Sequence, residues 1–281
     1  MTRRFLVLDA YDDAGRASLA AAGATLAGEL WRRLLQSLEP TARVEVTNLG
    51  TGASGLPDLS GFSGIAWTGS NLTIHRETDL VRLHVEIARA ALAQAIPSFG
   101  SCWGLQLAVV AWGGRCAANP RGREFGIARG IRLSPEGRAH PLFAGRTEPF
   151  LAFTSHEDHA VSLAPGTTLL AGNDFSPVQA VEVRAGRGVF FAVQYHPEYG
   201  PRDVAALARL RGPQLLAQGD FPDQGALDAW IAKMERLDRE PFDPDLRDRL
   251  GATNDVSDRA IVASEVRRWL DLHVPPAGSV A

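Results

Sequence analysis

Apolar runs and amphipathic stretches alternate along the first hundred residues. Arg4–Asp9 carries the unbroken run Phe5-Leu6-Val7-Leu8 and reads as a buried strand. Ala17–Leu38 has helical character, with Leu30, Leu34 and Leu38 on one face, and stops at Pro40. Val44–Leu49 alternates like a strand, and Gly64–Thr68 is another. Glu77–Ala95 predicts a helix with Leu80, Leu83, Ile87 and Leu92 along its apolar side. Ile96–Phe99 is a strand, followed by a helix over Trp103–Trp112 that Gly113-Gly114 closes. Strands alternating with helices predict an α/β fold, a doubly wound, mostly parallel sheet with its reactive site at the carboxyl ends of the strands.

The second half changes rhythm. Gly126–Leu133, Phe150–Phe153, Thr168–Ala171, Val178–Val183 and Gly188–Gln194 are strand-like and closely spaced, which predicts hairpins. After Pro201 the pattern is helical again. Ala226–Leu237 and Ser257–Leu272 are amphipathic, the latter with Val262, Val266, Trp269 and Leu270 at helical spacing, and Glu240-Pro241-Phe242-Asp243-Pro244 connects them. The expected organisation is a domain over 1–205 and a C-terminal helical extension over 206–281, which covers the core or makes a homo-oligomer contact.

Composition narrows the function classes. With 281 residues, 22% of them charged, and a formal net charge of -3, the chain has no basic stripe for nucleic acid. The apolar run near the start is too short for a signal peptide core, and no stretch is long enough to span a membrane. Two cysteines fit a reducing cytoplasm and no disulfide framework.

One of those cysteines stands out. In Gly100-Ser101-Cys102-Trp103-Gly104, between a strand and a helix, Cys102 occupies a nucleophile elbow with sulfur as the reacting atom. The flanking positions must be small because the turn leaves no room for a Cβ. The helix that follows aims its N–H groups at the sulfur, which favours negative charge there. A base is also on offer: the run Gly188–Gln194 delivers His196 at its end, with Glu198 two residues on. His196 can take the thiol proton and return it to a leaving amine while Glu198 orients the imidazole.

Gly-x-Cys-x-Gly-x-Gln at 100–106 and Tyr-His-Pro-Glu at 195–198 resemble the class I (triad) glutamine amidotransferase family. Ser155-His156-Glu157-Asp158 and His140-Pro141-Leu142-Phe143 support the likeness, which covers about residues 4–200. By motif it is nearest to stand-alone relatives of the GMP synthase glutaminase domain. The resemblance implies a flavodoxin-like fold and a Cys102–His196–Glu198 triad that forms a γ-glutamyl thioester, releases ammonia and hydrolyses the thioester. It implies an oxyanion hole from the backbone N–H groups of Trp103 and Ser70, and substrate contacts from Gly69, Gln106, Ser155, His156 and Glu157. It calls for no cofactor and no metal. Two departures stand out: Gly69-Ser70-Asn71 replaces the Gly-Gly-Pro of many relatives, and Glu157 replaces a frequent glycine. No phosphate-binding Gly-x-x-x-x-Gly-Lys-Ser/Thr loop is present, so ammonia either passes to a separate synthetase subunit or is not used. The substrate is then glutamine or, alternatively, a γ-glutamyl peptide or γ-glutamyl amine. A non-catalytic regulatory subunit is the third reading, opposed by the intact Cys102, His196 and Glu198.

Other features read as background. Gly-x-Gly-x-x-Gly at 50–55 lacks room for a crossover helix and is a loop. Cys116 has no nearby base. His75 and His84 are expected to be solvated, as is the loop Arg121-Gly122-Arg123-Glu124, and His156 with His159 lacks metal-ligand spacing.

Overall fold

The computed structural model describes residues 2–50 and 55–274. Its first half contains strand β1 (Arg4–Asp9), helices α1 (Asp13–Ala21) and α2 (Ala27–Leu38), strands β2 (Arg43–Asn48) and β3 (Gly64–Trp67), helix α3 (Asp79–Ala93), strand β4 (Ser98–Ser101) and helix α4 (Trp103–Ala111). Next come β5 (Arg115–Ala118), β6 (Glu124–Leu133), α5 (Pro135–Ala139), β7 (Phe150–His156), β8 (Asp158–Ser162), β9 (Thr167–Gly172), β10 (Ala180–Ala185) and β11 (Gly188–Val193). Beyond them lie α6 (Pro201–Gln218), α7 (Gln224–Arg239), α8 (Pro244–Leu250), α9 (Asn254–Ser257), α10 (Arg259–Val262) and α11 (Ser264–His273).

Nine strands form one sheet in the order β2-β1-β3-β4-β11-β10-β9-β6-β7. From β2 to β11 every pairing is parallel, and from β11 to β7 every pairing is antiparallel. The sheet is therefore mixed, with the expected parallel half and the hairpin-rich half joined at β11. Strands β5 and β8 pair separately.

Both faces of β1, β3 and β11 are buried, which explains their nearly unbroken apolar runs, whereas β2 at the sheet edge alternates and is exposed or half-buried. On β1, Phe5 and Val7 join a core with Trp31, Phe99 and Phe191, while Leu6 and Leu8 face a second core with Ile65, Trp67 and Trp103. Helix α11 supplies Val266, Trp269 and Leu270 to the first of these cores, and Trp269 meets Phe5 and Phe99 at ring-centroid distances of 6.2 and 5.8 Å. Helices α6 and α7 build a third core with Leu19 of α1.

Local chemistry corrects the sequence-based elements in two places. The expected helix over 17–38 is two helices, because the chain turns at Gly23, where φ is +68°. The expected helix over 257–272 starts at the last residue of α9 and is then split into α10 and α11. There, Thr253 accepts from the Asp255 amide and Asp258 from the Ala260 amide, so each cap starts a new helix. Of the glycine loop at 50–55, residues 51–54 lie outside the described residues. Among the described residues no helix is long and apolar enough to cross a membrane.

Candidate active site

The turn between β4 and α4 is tight in the way the glycines at 100 and 104 foretold. A Cβ on Gly100 would lie 2.8 Å from the carbonyl carbon of Gly104, and one on Gly104 would lie 2.9 Å from the carbonyl oxygen of Trp67. Neither position admits a side chain. Cys102 itself sits at φ +52° and ψ -103°, a conformation a non-glycine residue adopts only when its surroundings impose it. The Cys102 amide donates to the Val193 carbonyl at 2.8 Å, which ties the turn to the end of β11. Trp103 and Gly104, in the first turn of α4, have no helical partner for their N–H groups.

The same strand end delivers His196. Its amide donates to the Phe153 carbonyl at 2.8 Å, and its ring stacks on Tyr199 with centroids 3.8 Å apart and planes 4° from parallel. The imidazole Nδ1 donates to Oε1 of Glu198 at 2.7 Å, and both side chains are buried. Burial works against charge on His196, but the Glu198 carboxylate and then Cys102 outweigh it and raise its pKa to about 9. Cys102 and His196 flank Gly69: a Cβ there would lie 2.9 Å from Cε1 of His196 and 3.6 Å from Cβ of Cys102.

Glu198 is in turn fixed from behind. Ser101 Oγ donates to Glu198 Oε1 at 2.9 Å and accepts from Trp31 Nε1 at 3.2 Å, all in the core. Sequence reading missed this relay, since Ser101 and Glu198 are 97 positions apart.

The sulfur opens onto a cleft of about 230 Å³ whose lining includes Ser70, Trp103, Gln106, Ser155, His156 and Glu157. Ser70 Oγ is turned away to donate to the Ala10 carbonyl at 2.7 Å and accepts from the Leu72 amide at 2.9 Å. Asn71 is held by Asp12 through two hydrogen bonds. The Ser70 amide has no hydrogen-bond partner among the described residues. Gln106 Nε2 donates to the Asp158 carbonyl at 3.0 Å. Both His156 ring nitrogens are engaged, one with Glu124 at 2.9 Å and the other with the Asp158 carbonyl at 2.9 Å. Glu157 pairs with Arg123 at 2.6 Å and accepts from Gln218 at 3.1 Å.

Two background readings need correction. His84 is fully buried, bonded to the Leu80 carbonyl and edge-on to Trp103, and burial lowers its pKa. The loop at 121–124 is only partly solvated: Arg121 is exposed, but Glu124 is buried and anchors His156, Asn173 and Gln179, while Arg123 lines the cleft. The cleft is also lined by Arg211 and Gln214 of α6, which no local pattern marks. Cys116 is a buried thiol pushed up to about 12 by burial and then by Asp158.

Comparisons with known proteins bear on the family and the fold. The family model "Glutamine amidotransferase class-I" matches residues 71–207. A γ-glutamyl-L-1-hydroxyisopropylamide hydrolase of Pseudomonas sp. is 32% identical over 222 residues, 78% of this chain and 75% of that protein. The glutamine-hydrolyzing GMP synthase of Thermomicrobium roseum is 30% identical over 174 residues, 61% of this chain but only 28% of that protein. In fold, a glutamine amidotransferase of Methylobacillus flagellatus superposes over the full length of both chains with a TM-score of 0.66 at 16% identity. A buried histidine–glutamate pair beside an elbow cysteine, on this sheet, thus meets sequence likeness extending across most of the chain: it belongs to the class-I glutamine amidotransferase family.

Proposed function

We propose that this chain is a stand-alone hydrolase of γ-glutamyl amides with substituted amine leaving groups. The Cys102 sulfur, its proton already passed to His196, attacks the γ-carbonyl carbon. The imidazolium, oriented by Glu198, protonates the departing amine as the C–N bond breaks, and a γ-glutamyl thioester remains. Water activated by His196 then cleaves the C–S bond to give glutamate and the free thiol. Backbone N–H groups of Trp103 and Ser70 receive the oxyanion in both steps.

The observation that carries the chemistry is the buried 2.7 Å bond between His196 and Glu198, delivered by β11 to the strained turn holding Cys102. Support for the amine substrate comes from the hydrolase of Pseudomonas sp., whose 222 aligned residues exceed the 205 of the expected amidotransferase domain and so extend into the C-terminal helices. The loop at 69–72 adds to it. Ser70 and Asn71 are pinned to Ala10 and Asp12, so the Ser70 amide needs no partner protein to set its position.

A comparison of kcat/KM for γ-glutamyl-1-hydroxyisopropylamide, a γ-glutamyl dipeptide and glutamine tests the reading. The isolated chain is expected to turn over at least one conjugate as fast as glutamine or faster. Glutamine consumed far faster than every conjugate would instead assign the chain to ammonia supply for a synthetase partner.

The raised pKa of His196 sets the pH dependence. Below about 9 the imidazole carries the proton that the leaving amine requires, so kcat/KM should fall as pH rises through about 9. In Glu198→Gln the strongest charge holding the imidazolium is gone and burial acts unopposed by it. The alkaline limb should then move downward, toward the ordinary histidine value of about 6.5. A limb that stays in place in that variant would assign it to another group.

A further inference from the structure

One arginine in the cleft has no carboxylate partner among the described residues. Arg123 and Arg211 both line the cleft, the first from the loop before β6 and the second from α6. Arg123 is taken up by Glu157 at 2.6 Å, and the neighbouring Asp158 is turned toward His75 at 3.4 Å. Arg211 is bonded only to a neutral group, the Ser155 hydroxyl, and no carboxylate lies within ion-pair distance of it among the described residues. The two guanidinium groups feel each other as well: burial and then the Arg211 charge lower the Arg123 pKa, against the pull of Glu157. Arg123 also keeps a buried Nε without a partner.

A guanidinium uses five N–H donors in a planar fork, and a carboxylate takes two of them at once. One bond to a hydroxyl leaves most of that fork unspent, on a residue that lines the same cleft as Cys102. We infer that Arg211 binds the α-carboxylate of the γ-glutamyl group, so that α6 of the C-terminal helices restricts this site to amides of glutamate whose α-carboxylate is free. This assignment rests on the γ-glutamyl hydrolase reading. The physical need is clear: an anion entering a cleft with a half-satisfied guanidinium gains a charge-assisted pair, whereas a substrate lacking it leaves that cation unmatched.

Three p-nitroanilides separate the groups on the acyl chain: γ-glutamyl, with both α-substituents; glutaryl, with the carboxylate only; and 4-aminobutyryl, with the amine only. Wild-type enzyme should cleave the first two and disfavour the third. Arg211→Gln should lower kcat/KM about 10- to 100-fold on γ-glutamyl and glutaryl substrates, chiefly through KM, and should not lower it on the 4-aminobutyryl substrate, for which an unmatched cation is removed. Arg211→Lys, which keeps the charge but not the fork, should recover part of the loss. Equal losses on all three substrates would mean that Arg211 only supports Ser155, and the inference fails.

Calorimetric titration with L-glutamate and 4-aminobutyrate makes the test independent of turnover. Glutamate binding should weaken in Arg211→Gln while 4-aminobutyrate is unaffected. If no γ-glutamyl compound is hydrolysed but this binding difference appears, the function reading falls and the carboxylate site stands. Glutamate that binds wild type and variant alike, or neither, overturns the site.

Discussion

Replacing Cys102 by serine is expected to lower kcat/KM for γ-glutamyl amides by at least about a thousandfold while the protein remains folded. The two side chains differ by one atom, and serine tolerates φ +52° as well as cysteine does, so the turn and its bond to Val193 persist. What is lost is the nucleophile: a hydroxyl beside the same imidazole is far harder to ionise than a thiol. Steady-state rates together with thermal unfolding check both halves of the statement. Residual activity near wild type would remove Cys102 from the mechanism. A γ-glutamyl chloroketone supplies an independent readout by mass spectrometry. It should alkylate Cys102 and spare Cys116, whose thiol is buried away from the cleft and held protonated up to about pH 12.

His196→Ala should be nearly as damaging as loss of the sulfur, and Glu198→Ala clearly milder, by about one to two orders of magnitude less. The reason is the division of labour. In the proposed mechanism the imidazole moves the proton in every step, whereas Glu198 fixes its tautomer and keeps it charged. Part of that fixing is shared: the ring also stacks on Tyr199 and its backbone is bonded to Phe153. Paired rate measurements on the two variants decide the matter. If Glu198→Ala were the more severe change, the carboxylate would have to act directly in proton transfer, and the orienting role assigned to it would be wrong.

Much of the architecture was legible without coordinates, because the informative patterns are local. The run Phe5-Leu6-Val7-Leu8 admits one reading, since a strand covered on both faces has no polar side to show. Helix α3 announces itself by its apolar stripe, and its Thr78 cap, which accepts from the Val81 amide, sits where the stripe begins. Where patterns misled, side chains too short to span a turn were responsible. Asp258 could not be told from an exposed helical residue until its carboxylate was seen capping Ala260. Val266, Trp269 and Leu270 keep helical spacing because α11 presents them to one core. His84 looked like a surface residue because a single histidine on a helix carries no signal of what packs over it.

The elbow cysteine and the nearby histidine and glutamate were legible in the sequence alone as a candidate chemical kit, for a physical reason: the steric needs of a strand-to-helix turn write glycines on either side of the cysteine, and a histidine and a carboxylate two positions apart stay within reach of each other, here across the turn that follows β11. Everything that surrounds the kit was decided by tertiary structure. Ser101 reaches Glu198 across 97 positions and Arg211 reaches Ser155 across 56. The His156–Glu124 pair likewise spans 32 positions. No periodicity encodes such contacts, because they arise where the sheet brings strand ends together and α6 folds back over them. Hydrogen bonds between distant segments depend on the whole packing, so the cleft and the charge it leaves unmatched exist only once the chain has closed around them.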